Sequence, residues 1–179
     1  MRIIAGEKKG RQLLEPTWTG LRPTSDRLRE TLFNVLRNDV VDSRFLDGCA
    51  GTGAIGLEAM SRGASSVTFI ESDERAVTLI EQNVQHCDSE KDATIVFGAL
   101  PDVLARSGNR PCFDLCVLDP PYEFDTAAIN AILIGVKACL EEGGLIVLER
   151  DRRAEPVEVS GLVSRRRITS GNSALYFYG

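Results

Sequence analysis

The chain has 179 residues, 43% of them hydrophobic, enough to bury a substantial core without metals or disulfides. Five cysteines, at 49, 87, 112, 116 and 139, form neither a C-x-x-C pair nor an even framework, which argues against a secreted disulfide scaffold and for a reducing cytoplasm. The net charge is −5, no apolar run approaches the roughly 18 residues needed to cross a bilayer, and residues 1–6 are too short a lead for a signal sequence, so the expectation is a cytoplasmic protein without membrane or metal partners.

Two short apolar segments, 2–5 and 11–14, flank Gly6 and Gly10 and predict a hairpin. A helix is expected over 25–38, where Leu28, Leu32, Val35 and Leu36 recur at helical spacing behind a Thr24-Ser25 start signal. An alternation follows: strand 44–47, helix 54–61, strand 66–71, helix 74–87, strand 93–97, short helix 100–105, strand 115–118, helix 126–140 and strand 145–149. Such alternation implies a parallel sheet with helices on both faces. Segments 162–168 and 175–178 are joined through Gly171-Asn172 with no room for a crossover helix, so they must pair antiparallel. The fold expected is α/β and Rossmann-like: a seven-stranded, mostly parallel sheet ending in an antiparallel hairpin. A hairpin and helix extension (1–38) precedes the core (39–179), and no repeat or linker divides what reads as a single domain.

Two connections in this pattern carry chemistry. The first, Phe45 to Gly56, is a short apolar strand running through Asp47-Gly48-Cys49-Ala50-Gly51-Thr52-Gly53 into a helix. Glycines there permit positive φ and close approach of a ligand to the backbone, and the helix start presents free N–H groups. Gly51, Gly53 and Gly56 match the dinucleotide spacing G-x-G-x-x-G, with Glu71 twenty residues beyond Gly51 and able to accept both hydroxyls of a ribose. A tight strand-to-helix turn without a ligand would read the same way. Cys49, inside this turn, reads as a small packing residue rather than a nucleophile.

The second is Asp119-Pro120-Pro121-Tyr122, directly after the apolar run 115–118. The exocyclic amine of a nucleobase is a poor nucleophile because its lone pair is delocalised into the ring. Oxygen acceptors fixed beside it, here the Asp119 carboxyl and the Pro120 carbonyl, favour the pyramidal nitrogen of the transition state. The prolines hold these acceptors still, and Tyr122 can stack on a base taken out of its helix or loop. A proline-rich turn closing a strand is the plain alternative.

A dehydrogenase would be expected to add a hydride-handling His, Tyr-Lys pair or Cys to the glycine turn, but the chain has one histidine, His86, on a predicted helix. A glycine-rich adenosine turn together with an amine-polarising tetrapeptide reads instead as an S-adenosylmethionine-dependent N-methyltransferase. Charge distribution allows an RNA substrate despite the acidic total. Residues 1–37 carry +4 and the remainder −9, and local potential is what attracts phosphates. Arg2, Lys8, Lys9, Arg11 and Arg27 are the candidate RNA contacts. A second basic cluster, Arg150, Arg152, Arg153 and Arg165 to Arg167, is left open.

With the runs Arg2 to Gly6, Gly10-Arg11 and Leu21 to Asn34 added to both motifs, the whole chain resembles the RsmD family of bacterial 16S rRNA guanine-N2 methyltransferases. That resemblance implies a class I methyltransferase fold, S-adenosyl-L-methionine as cofactor, and one loop guanine of 16S rRNA, in an assembling small ribosomal subunit, as substrate. It implies cofactor contacts from Asp47, Gly48, Ala50, Gly51, Gly53, Glu71, Ser72, Gly98 and Ala99, with Arg22 and Thr24 closing the methionine end. It places catalysis on Asp119, Pro120, Pro121 and Tyr122. Many such enzymes bind the adenine amine with an acid after the third strand. Phe97-Gly98-Ala99 offers none, which leaves backbone and apolar contacts or nearby Asp102. Methylation of another amine, such as adenine N6, and a nicotinamide-dependent oxidoreductase or a catalytically silent RNA-binding module of the same fold remain as alternatives at this point.

Overall fold

A computed structural model describes residues 1–21, 24–106 and 112–179. Seven strands form one sheet: β1 (Arg44–Gly48), β2 (Ser66–Glu71), β3 (Ala93–Phe97), β4 (Phe113–Leu118), β5 (Leu140–Asp151), β6 (Ser164–Ser170) and β7 (Ser173–Tyr178). Their order is β3-β2-β1-β4-β5-β7-β6, parallel from β3 to β5, with β7 antiparallel to both β5 and β6. The helices are α1 (Asp26–Leu36), α2 (Ala54–Ser61), α3 (Glu74–His86), α4 (Asp102–Arg106) and α5 (Thr126–Lys137). This is the class I methyltransferase fold.

Successive side chains of a strand point to opposite faces, so a sheet covered on both sides needs apolar residues at nearly every central position. Two clusters result. Phe45, Val117, Val147 and Leu175 pack with α1 to α3 through Leu32, Phe33, Leu57 and Ile80. Leu46, Cys116, Leu148 and Tyr176 pack with α4 and α5 through Leu104, Ile129 and Leu133.

Four expectations shift. The N-terminal hairpin is a single bridge, Arg2 to Gln12, because its backbone turns toward α2 instead of extending a ladder. The Ile4 and Ala5 N–H groups donate to the Glu58 carboxylate at 2.7 and 3.0 Å. Gly6, at φ +83°, lies so close to the Ser61 carbonyl that a Cβ would meet its oxygen at 1.7 Å. Helix α5 stops at Lys137 and β5 begins at Leu140, five residues earlier than its apolar core suggests. Gly143 there has φ +79°, and the β4–β5 register shifts between Phe113 and Leu115. Helix α4 begins at Asp102, after Pro101. Strand β6 starts at Ser164 and runs to Ser170, so Gly171-Asn172 is the entire turn. Among the described residues, no helix is long and apolar enough to cross a membrane.

Candidate active site

In an open α/β sheet, ligands bind beyond the carboxyl ends of the strands where the strand order reverses. Here that place is between β1 and β4, and the register Gly48 to Leu118 brings both chemical connections to it. Backbone bonds tie the loops together: Asp119 N–H to Gly48 O at 3.2 Å, Ala50 N–H to Ile70 O at 3.0 Å, and Gly98 N–H to Glu71 O at 2.9 Å.

The glycine turn is left-handed at Cys49, Gly51 and Gly53, with φ of 61°, 57° and 75°. A Cβ on Gly56 would meet the Phe69 ring at 2.3 Å, so this third glycine serves helix-to-strand packing. Glu71 is nearly buried and holds the turn. One carboxylate oxygen accepts Gly51 N–H at 2.8 Å, and the other accepts Ser72 and Asp73 N–H at 2.7 and 2.9 Å. Asp47 lies beneath and accepts Gly56 N–H at 2.7 Å, near the start of α2. Burial pushes its carboxyl up to about 7 against that hydrogen bond, with the Glu71 charge adding to the rise. The Cys49 thiol is pushed up to about 12 by burial and the acids around it, so it is no thiolate nucleophile.

Asp119, Pro120, Pro121, Tyr122 and Thr24 line one cavity of about 350 Å³, a size suited to a small ligand. Thr24 Oγ1 donates to Asp119 Oδ2 at 2.7 Å. Two wall residues, Glu149 and Ser173, were not expected. The Tyr122 hydroxyl donates to Glu149 Oε1 at 2.7 Å and lies 3.2 Å from Ser173 Oγ. Burial first, then its hydrogen bond and charge contact with Glu149, push the Asp119 carboxyl well above the usual carboxylate range, while Thr24 opposes the rise. Glu149 had a signal: it closes an apolar strand, as Asp47, Glu71 and Asp119 close theirs.

The N-terminal extension crosses this edge. Leu14 is clamped by buried Asn83, which accepts its N–H at 2.7 Å and donates to its carbonyl and to Thr52 O at 3.2 and 3.0 Å. Arg75 lies over the Trp18 ring, and Leu21 stands above Gly51 so that a Cβ there would meet it at 3.4 Å. Arg22, expected in the cofactor set, lies outside the described residues.

The expected basic contacts separate into two groups. Lys8 Nζ donates to the Cys87 and Asp88 carbonyls and Ser89 Oγ at 2.5, 2.8 and 2.8 Å. Arg11 donates to the His86 carbonyl and Asp88 at 2.8 and 2.6 Å. Both thus satisfy the C-terminal end of α3, where orphan carbonyls and the helix dipole favour cations. Arg2, Lys9 and Arg27 are exposed. Arg152 and Arg153 line a cavity of about 470 Å³ with Asp151 and Asn172, the turn residue next to the Ser173 wall of the first cavity.

The whole chain, residues 1–179, matches the family described as "Conserved hypothetical protein 95". It is 41% identical over 154 residues to Ribosomal RNA small subunit methyltransferase D of Haemophilus influenzae, covering 85% of this chain and 79% of that one. The Escherichia coli protein of the same name is 39% identical over 153 residues, covering 84% and 75%. Among solved structures, the Escherichia coli protein yhhF superposes with a TM-score of 0.85 at 32% identity, covering 99% of this chain and 96% of that one. The chain belongs to this family, which is that of the small-subunit rRNA methyltransferase D proteins.

Proposed function

We propose that the protein methylates the exocyclic N2 amine of a guanine in 16S rRNA, using S-adenosyl-L-methionine. The observation that carries this reading is the meeting of the Asp119 to Tyr122 tetrapeptide with the glycine turn at adjoining strand ends. The residues present suit the cofactor. Gly51, at φ +57°, brings its backbone close to a ligand under Leu21, and the Glu71 carboxylate, with three backbone N–H groups bound, keeps about one of its roughly four acceptor positions for a ribose. Gly98 and Ala99, following β3, offer backbone groups to the adenine, and Thr24 stands at the methionine end.

When bound, S-adenosylmethionine supplies an electrophilic methyl on a sulfonium. Transfer of that methyl to the amine would make the neutral thioether the leaving group and would release one amine proton to solvent. Asp119 and the Pro120 carbonyl accept the two amine N–H groups and turn the nitrogen lone pair toward the methyl. Tyr122 supports the base. The chain acts as one domain, its extension completing the site through Thr24.

RNA meets the protein on the exposed cations Arg2, Lys9 and Arg27, with Arg152 and Arg153 placed to take a phosphate beside the target nucleotide. The substrate is an assembling small ribosomal subunit, whose proteins present the loop base to a modest basic surface.

The test is methyl transfer from labelled S-adenosylmethionine to small-subunit particles lacking the modification, with nucleoside analysis of the product. N2-methylguanosine, lost in Asp119→Ala while cofactor binding persists, is expected. Recovery of N6-methyladenosine, or full activity in Asp119→Ala, would overturn the assignment.

A further inference from the structure

Polarising one amine takes one pair of acceptors, and Asp119 with the Pro120 carbonyl already provides it. Yet a second acid stands in the same cavity. Glu149 lies two residues before the end of β5, is 4% exposed, and shares the wall with Asp119. Burying an acid is costly unless its charge meets donors. One donor is visible in the free protein, the Tyr122 hydroxyl at 2.7 Å. A carboxylate offers about four acceptor positions, so Glu149 retains acceptor capacity on the cavity wall.

The sheet decides which part of a base this capacity meets. Strand β4 lies between β1, which carries the glycine turn, and β5. Register partners Leu118 and Leu148 immediately precede Asp119 and Glu149, so Asp119, just past the end of β4, stands beside Glu149, near the end of β5. Passing outward from the cofactor turn, a ligand meets Asp119 first and Glu149 next. A base with its amine at Asp119 and its methyl donor on the β1 side presents the adjoining ring position to Glu149.

In guanine that adjoining position is N1–H, a donor directly beside the 2-amine. In adenine the positions flanking the amine, N1 and N7, are both acceptors. In 2,6-diaminopurine the 2-amine is kept but N1 is a bare lone pair. Building on the guanine-amine reading of this site, we infer that Glu149 accepts the N1–H of the target base and so selects guanine among purines carrying an amine. The Tyr122 hydroxyl aims the Glu149 carboxylate, and Ser173 supports that hydroxyl. Guanine brings N–H donors to both acids. A purine with a bare N1 brings no donor to Glu149 and sets one lone pair against another.

The inference is tested with small-subunit particles reconstituted on rRNA carrying either guanine or 2,6-diaminopurine at the target position. Methyl transfer from labelled S-adenosylmethionine is followed in a single turnover for wild type and for Glu149→Gln. A site built to receive a hydrogen bond rejects the analogue that lacks it, so wild type should prefer guanine by about 100-fold or more. Glu149→Gln, whose amide can place a donor opposite N1, should lose most of its rate on guanine and shrink or invert the preference, with cofactor affinity unchanged. Equal wild-type rates on the two bases would overturn the role of Glu149 and leave the methyltransferase reading standing, as would an undiminished preference in Glu149→Gln. Methylation of neither base, with cofactor bound, would overturn the guanine reading and the role of Glu149 with it.

Discussion

Thr24 Oγ1 donates to Asp119 Oδ2 at 2.7 Å, joining the N-terminal extension to the carboxyl end of β4 across 95 residues of chain. The bond lowers the tendency of Asp119 to hold its proton, against burial and Glu149, which raise it. Thr24→Val keeps the shape and removes the donor. The expected result is a fall of about tenfold in kcat/KM for rRNA, the worth of one hydrogen bond to a charged group. Because an amine acceptor works best ionised, kcat/KM should rise with pH as Asp119 loses its proton, and in Thr24→Val this rise should move to higher pH. Pre-steady-state methyl transfer across a pH series measures both.

Asp47 predicts a stability effect of the opposite sign from a salt-bridged acid. Its folded value of about 7 lies above the roughly 3.9 of an unfolded aspartate, so the folded state binds the extra proton in that interval. Stability is therefore fullest below about pH 4 as far as this group is concerned, and is lost as pH rises toward 7, by up to roughly 4 kcal/mol. Asp47→Asn retains an acceptor for Gly56 N–H and cannot ionise. Its unfolding midpoint in denaturant should fall less than that of wild type between those two pH values.

Glu58 and Arg29 are both fully buried, their nearest charged atoms 3.7 Å apart. Glu58 also accepts Ile4 and Ala5 N–H and Arg62 Nε, while Arg29 reaches the Arg2 carbonyl and Asp26. This network fastens the N-terminal extension to α2. Glu58→Ala would leave Arg29 buried without its closest buried anion and two backbone N–H groups unpaired. A loss of about 3–5 kcal/mol in urea unfolding is expected, and hydrogen exchange at Ile4 and Ala5 should quicken.

Lys8 and Lys9 are adjacent in sequence and opposite in duty. Lys8→Ala should lower thermal stability and leave the salt dependence of rRNA binding unchanged, since its ammonium is bonded to the end of α3. Lys9→Ala and Arg27→Ala should each reduce the slope of log K against log salt by about one, with little effect on melting.

The sheet and its two chemical turns were legible because their causes are local. A strand buried on both faces must be apolar throughout, a turn at positive φ favours glycine, and Gly171-Asn172 has the conformational freedom a two-residue hairpin needs. Boundaries failed where a distant partner set them. Leu140 is extended because Phe113 pairs with it, and nothing in Glu141 to Gly144 announces a strand. The N-terminal hairpin is short because Glu58 and Ser61 compete for its backbone.

Residue types alone thus determined the α/β alternation, the glycine turn and an Asp-Pro-Pro-Tyr turn at a strand end, because each is enforced by the conformation and burial of a short segment. Only the tertiary structure decided which groups meet. Strand order set Glu149 beside Asp119, the course of the extension brought Thr24 to the same carboxyl, and packing spent Lys8, Arg11 and Arg29 on helix ends and buried acids. The physical reason is that desolvation and hydrogen-bond pairing depend on neighbours far apart in the chain, which no local pattern encodes.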